Sequence, residues 1–160
     1  GAVAAADQSD IDLLRDLNDH DGQEDYDQPR FNYQFDEVRA ALGLSQLAKL
    51  KDFVAKRREH VVAYAEAFGH DKLQGGMPYR YLYDAGSFEH ANRLIKHLEG
   101  QDIEAKPPVF KPLHRYLGQE DKDFPNTTSA WERNVSLPLY PSLSEEERSR
   151  VINAVASFVS

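Results

Sequence analysis

The sequence has no cysteine, one methionine and one tryptophan. Without thiols it forms no disulfide, holds no thiolate-bound metal and has no cysteine nucleophile. That composition fits a reducing compartment, and a cytoplasmic location is expected. Long apolar runs are missing as well. Nothing approaches the roughly 18 consecutive apolar residues that span a bilayer, so no membrane partner is expected. The opening stretch, residues 1–6, is small and apolar but has neither the basic leader nor the length of a signal peptide. Cations are scarce at one end: residues 1–37 carry 11 acidic and 2 basic side chains, in a chain of 160 residues with a formal net charge of −8. Such a chain repels nucleic acid and anionic membranes. The acidic run reads as a solvated face and loop. A divalent-cation site within Asp19–Asp27 is the alternative, but the glycine and closing glutamate that a calcium loop requires are not in place.

Several catalytic signatures are absent too. There is no nucleophile elbow of the G-x-S-x-G type and no phosphate loop of the G-x-x-x-x-G-K-[ST] type. None of the six histidines pair at the four-residue spacing of a helical metal site, and His90 and His97, seven apart, have no acidic partner at a ligating step. No metal centre is expected.

What remains is ordinary globular material, 41% hydrophobic and 29% charged, long enough for one domain with a core. Residues 1–6 suggest a short buried strand. Asp7 and Ser9 are N-cap candidates for a helix over 8–18, with Ile11, Leu13, Leu14 and Leu17 at helical spacing. Residues 19–30 read as a loop. From Asp36 to Phe68 there is no proline, and apolar residues recur at threes, fours and sevens, which predicts a helix of about 50 Å at 1.5 Å per residue. Gly43 inside it suggests a bend or a close backbone contact. A helix that long is expected to bridge two lobes or to pack across a dimer. Its Arg57-Arg58 pair reads as a solvated face partnered by Asp52 and Glu59. Tyr79–Tyr83 alternates as a strand does, Ser87 opens a helix to about Leu98 with Gly100 as its stop, and residues 103–106 suggest a further strand ended by Pro107-Pro108. Residues 118–130 read as loop. Ser136–Leu139 is a short apolar segment, and Ser144 with Glu147 forms a capping box for a last helix. From about residue 77 the order is that of a small α/β domain with helices against one sheet.

Two segments place polar groups beside aromatic rings at the ends of regular elements, where binding groups commonly sit: Phe31-Asn32-Tyr33-Gln34-Phe35-Asp36-Glu37, leading into Ala40-Ala41-Leu42-Gly43, and Val109-Phe110-Lys111-Pro112-Leu113-His114. The first, continued through Gln46-Leu47, resembles the N-Y-R-M-x-E-x-x-A-A-x-G-x-x-Q-L stretch of the DegT/DnrJ/StrS sugar aminotransferases. Lys56-Arg57-Arg58 with Tyr64 is similar to that family's R-R…Y, and Phe110–His114 to its aromatic-x-P-[LM]-H element. Ser136–Pro141 with Glu145–Glu147 is similar to its L-P-x-x-P-x-[LM]-[ST]-x-x-E ending. Gly1-Ala2-Val3 with Asp7 and Asp10–Leu17 is similar to its G-G-x-x-x-T-x-D strand and helix.

The resemblance implies an α/β chain: the C-terminal small α/β domain of a type I aminotransferase fold, a long bridging helix and a remnant of the large cofactor domain. The expected boundaries are 1–35 for the remnant, 36–76 for the inter-lobe helix and 77–160 for the small domain. It further implies the last two-fifths of a pyridoxal-phosphate enzyme, a homodimer that moves an amino group, usually from glutamate, to a keto group of a nucleotide-linked sugar. The family's cofactor-anchoring lysine lies shortly before the glycine strand, and the chain opens at that strand. The chain alone is therefore expected to be inactive and to bind no cofactor by itself, its partner being a missing N-terminal half or a second copy. A stand-alone non-catalytic domain of the same descent is the alternative. Carried over by position, Asn32 is the amide that reaches the cofactor phosphate across the dimer, and Gln34 stands where the family has arginine. Phe110 and His114 are expected near the sugar nucleotide, Phe110 standing where a tyrosine is common. No catalytic residue is assigned.

Overall fold

The computed structural model describes residues 3–19, 32, 35–69 and 76–159. Its contacts fall into two units, Gly1–Ala48 and Lys49–Ser160.

In the first unit, helix α1 (Gln8–Asn18) opens where Asp7 Oδ1 accepts the Ser9 amide at 2.9 Å, the N-cap that the sequence suggests. None of its residues is buried. Residues 3–5 form no strand, and Val3 is 76% exposed, so the buried strand expected over 1–6 is not found among the described residues. An apolar stretch becomes a strand only where a neighbouring strand takes up its backbone donors and acceptors. The loop read over 19–30 and the alternative cation site at Asp19–Asp27 lie, apart from Asp19, outside the described residues. Helix α2 (Glu37–Phe68) begins where Asp36 Oδ1 accepts the Arg39 amide at 2.8 Å and runs unbroken past Gly43. A Cβ at that glycine would meet only the Phe35 ring at 3.7 Å, an ordinary contact. In this half of α2, Val38, Leu42, Leu44 and Leu47 are all exposed.

The second unit holds the core. Strand β1 (Tyr81–Asp84) pairs antiparallel with β2 (Asn134–Leu137) in the register Tyr81↔Leu137 and Tyr83↔Val135. Period-two alternation buries Tyr81, Val135 and Leu137 on one face. Of the strand expected at 103–106, only the bridge Lys106↔Ser136 forms. Helix α3 (Phe88–Glu99) is capped by Ser87, whose Oγ accepts the His90 amide at 3.2 Å, and buries Ala91, Leu94 and Leu98. Gly100 closes it at φ −63°, a right-handed conformation open to any residue; the left-handed residue of the turn is Asp102, at φ 56°. Helix α6 (Glu145–Val159) carries the expected capping box: Glu147 N donates to Ser144 Oγ at 3.1 Å, and Ser144 N to Glu147 Oε2 at 2.8 Å. Val151, Ala154 and Val155 of α6 join Val61 and Tyr64 of α2, β1, β2 and α3 in one cluster. His97 Nε2 lies 3.1 Å from the Ala154 carbonyl oxygen, which ties α3 to α6.

Residues 118–130, read from sequence as loop, are largely regular. A 3-10 turn (Asp121–Asp123) leads into a helix, α5 (Pro125–Arg133), between the one-turn helix α4 (Leu113–Tyr116) and β2. Proline at N1 favours the start of α5. The polar α5 sequence has no buried face, and its support is tertiary: it packs on α3, with Trp131 stacked on Phe88 at 6.1 Å.

Candidate substrate-recognition site

Prolines shape the segment that leaves the sheet at Lys106. Pro107, Pro108 and Pro112 have no amide hydrogen to give to a strand partner, so the chain runs across the surface instead. Pro112 then stands at the N-cap of α4, and Gly118, at φ 69°, turns the chain out of it in a conformation that glycine adopts without strain. On this segment Phe110 is 91% exposed and Leu113 72% exposed, whereas His114 is buried at 4%.

His114 is engaged on several sides. Its ring stacks on Phe124 at 4.9 Å, and its Nε2 lies 2.9 Å from Asp121 Oδ1. Asp121 also accepts two bonds from the Arg115 guanidinium, Nε to Oδ1 at 2.8 Å and Nη2 to Oδ2 at 2.7 Å. These donors, Arg115 first and His114 second, hold the Asp121 carboxyl well below the usual carboxylate range. Arg115 lies over the Trp131 ring at 4.6 Å, and Trp131 Nε1 donates to the Val109 carbonyl at 2.8 Å.

The sequence-predicted residues therefore have different settings. Phe110 and His114 share one segment, the first projecting and the second packed inward. Asn32 belongs to the first unit, outside any helix or strand, and is exposed. Gln34 lies outside the described residues. Asp121 and Trp131, which organise the segment, carry no motif; the one available signal is that Trp131 is the sole tryptophan.

Arg57 departs from the solvated-face reading. Its Nη1 donates to the carbonyls of Leu139 at 2.9 Å and Tyr79 at 3.1 Å, and Arg58 reaches the Gly76 carbonyl at 3.2 Å. A guanidinium offers five donors in a fixed fork, which suits it to gathering the loop carbonyls beside α2. Arg57 also borders a cleft of about 500 Å³, lined in addition by Arg80, Lys106, Ser136, Tyr140 and Arg150, which neither Phe110 nor His114 reaches. Among the described residues no group of three acidic or histidine side chains is placed to hold a metal, and no helix is long and apolar enough to cross a membrane.

The architecture is part of the type I fold of pyridoxal-phosphate aminotransferases. A DegT/DnrJ/EryC1/StrS aminotransferase from Brucella abortus superposes with a TM-score of 0.75 at 25% identity, covering 95% of this chain and 44% of that one. The chain belongs to the DegT/DnrJ/EryC1/StrS aminotransferase family, whose model matches residues 1–156. It is 29% identical over 154 residues to the spore coat polysaccharide biosynthesis protein SpsC of Bacillus subtilis, covering 82% of this chain and 38% of that protein. It is 28% identical to the dTDP-3-amino-3,4,6-trideoxy-alpha-D-glucose transaminase of Micromonospora megalomicea, covering 99% of this chain and 47% of the relative. The chain thus spans less than half the length of these relatives and matches a C-terminal portion of the family. The family depends on pyridoxal phosphate, and its nucleotide-sugar aminotransferases are typically dimeric.

Proposed function

We propose that this chain is the C-terminal part of a pyridoxal-phosphate-dependent aminotransferase that moves an amino group, from glutamate, to a keto group of a nucleotide-linked sugar in the cytoplasm. The observation that carries the reading is the family match across residues 1–156. In this reading, residues 1–35 belong to the large cofactor domain, 36–76 are the inter-lobe segment that contains α2, and 77–160 form the small domain. The lysine that anchors the cofactor is contributed by sequence outside this chain.

The amide chemistry of the first unit fits a phosphate. Asn32 is exposed, and its side-chain N–H groups are donors suited to phosphate oxygens. Gln34 adds a second amide where a cation would bind an anion more strongly. The cofactor, when bound, supplies the electrophilic centre through which the amino group passes. Asn32 and Gln34 help to hold its phosphate, from the partner subunit's side of a dimer. Phe110 offers an aromatic face to the nucleotide sugar, and His114 supports the segment that carries it.

Val38, Leu42, Leu44, Leu47 and Leu50, exposed on all sides of α2, support a chain completed by further protein, since a helix with apolar residues all round is normally buried by its surroundings. A stand-alone binding domain is the second reading, favoured by the self-contained core of the second unit. The deciding experiment expresses the 160-residue chain beside the product of the complete reading frame that contains it. Glutamate-dependent amino transfer to keto-sugar nucleotides is assayed for both, with borohydride trapping of bound cofactor. Activity and trapping in the complete product alone are expected. A complete product that neither traps cofactor nor transfers an amino group overturns the enzyme reading in favour of the binding domain.

A further inference from the structure

The arrangement around Asp121 does more than satisfy one buried histidine. The segment from Val109 to Tyr116 is fastened at both ends. At the first end, the Val109 carbonyl accepts the Trp131 indole N–H at 2.8 Å. At the second, Asp121 takes His114 Nε2 at 2.9 Å and the Arg115 fork at 2.8 and 2.7 Å. Arg115 closes the circuit by lying over the ring of Trp131 at 4.6 Å. The two fastenings therefore share a cation, which Glu132 also approaches at 3.8 Å.

Between the fastenings the chain projects Phe110, which is 91% exposed and has no ring partner among the described residues. An aromatic side chain loses little entropy on contact, because it has only two rotatable bonds; when its backbone is held in advance, the cost of ordering is smaller still. Its flat face suits a nucleobase, since base–aromatic stacking contributes about 1–3 kcal/mol by alanine substitution. The ammonium of the adjacent Lys111 stands 4.9 Å over the Tyr116 ring, so a cation lies next to that face in sequence for the diphosphate. A surface ion pair ordinarily contributes little, but a bidentate Arg–carboxylate pair with a further donor on the same oxygen is the geometry in which it does contribute.

We propose that Asp121 is a positioning residue for nucleotide recognition: by bridging His114 and Arg115 it holds the Val109–Tyr116 segment so that Phe110 stacks on the base of a nucleoside diphosphate moiety. His114, buried in the same clamp, acts through the segment and does not touch the ligand. The inference rests on the reading of the chain as part of a nucleotide-sugar aminotransferase.

The test uses the product of the complete reading frame, titrated calorimetrically with dTDP, UDP and GDP as probes, in wild-type, Asp121→Asn, Asp121→Glu and Phe110→Ala forms. Tryptophan emission is followed in parallel against a Trp131→Phe form, which assigns the share of Trp131, since release of the cation over its ring alters it. Asp121→Asn is expected to shift the emission and to weaken the preferred diphosphate about tenfold. Asp121→Glu should restore most of the affinity, and Phe110→Ala should weaken binding as much as Asp121→Asn does, with no further loss in the double variant. Altered emission with unchanged affinity makes the clamp purely structural and overturns the inference. So does equal loss in the Asn and Glu variants. Failure of the wild-type protein to bind any of the three probes removes the functional reading and the inference with it, and unaltered affinity in the variants of a binding protein removes the inference alone.

Discussion

Tyr64→Ala is expected to destabilise the second unit by about 3–5 kcal/mol, the range for deleting a fully buried aromatic side chain. Tyr64 has no exposed surface. Its ring stacks on Phe68 at 5.9 Å and leans on Tyr81 at 4.9 Å, so with Phe68 it joins α2 to the sheet. Its hydroxyl donates to the Pro138 carbonyl at 3.0 Å, and burial raises its pKa, which keeps that donor protonated. Tyr64→Phe separates the two contributions. It keeps the ring and strands a half-buried carbonyl, for an expected cost of about 1–3 kcal/mol. Urea unfolding followed by far-UV circular dichroism measures both. A loss below about 1 kcal/mol for the alanine variant contradicts the packing described for α2.

Acidification should act through His60. This ring is 5% exposed in the C-terminal half of α2, and Arg148 Nη1 of α6 donates to its Nδ1 at 3.2 Å. Nδ1 must then be the acceptor, so the neutral ring carries its proton on Nε2, which is buried with no partner among the described residues. A second proton converts the acceptor into a donor facing a guanidinium. Burial first, and then Arg148, lower the pKa of His60 below its ordinary value of 6.5; Lys56 acts in the same direction and Glu59 opposes them. With the native pKa depressed, the unfolded chain takes up the proton first. Stability is therefore fully present above about pH 6.5 and falls as pH drops toward the native pKa, by at most about 1.4 kcal/mol per pH unit for one proton. His60→Asn keeps an oxygen acceptor for Arg148 and should flatten that window, as read from urea midpoints between pH 7 and 5. Asp121 does not interfere, because a carboxylate with a depressed pKa loses its stabilisation only below its ordinary 3.8. An unchanged slope in the asparagine variant rules out His60 as the group responsible.

Much of this architecture can be read in the amino-acid order where local chemistry agrees with the tertiary result. Asp7, Ser87 and the Ser144/Glu147 pair cap helices because their side chains satisfy amides that no helix can satisfy for itself. The α2 pattern is long and free of proline, and the helix appears at its expected length. Legibility fails where distant partners decide. Residues 125–133 have no apolar face, and their helix depends on Trp131 reaching Phe88 and Val109. Gly100 looks like a left-handed stop, but the turn places that conformation at Asp102, whose short polar side chain tolerates it. Arg57 looks like a solvated charge because its acceptors are carbonyls as far as 82 positions away. In the candidate site, the motif around Phe110 and His114 is visible in sequence, but Asp121 is one of several acids in a polar run. Only the folded chain shows that its carboxylate faces both His114 and Arg115.

The exposed leucines along α2 also affect the calorimetry of this chain. Leu42, Leu44, Leu47 and Leu50 already meet water in the native state, and α1 buries none of its residues. Unfolding exposes little new apolar surface there, so these residues add little to the heat-capacity increment that hydration of such surface produces. Among the described residues the increment should therefore come mainly from the unit that begins at Lys49, at about 12–15 cal/mol/K per residue. With so shallow a curvature, the stability of the isolated chain varies slowly with temperature. Protein that covers the leucines would steepen that dependence as well as raise its maximum.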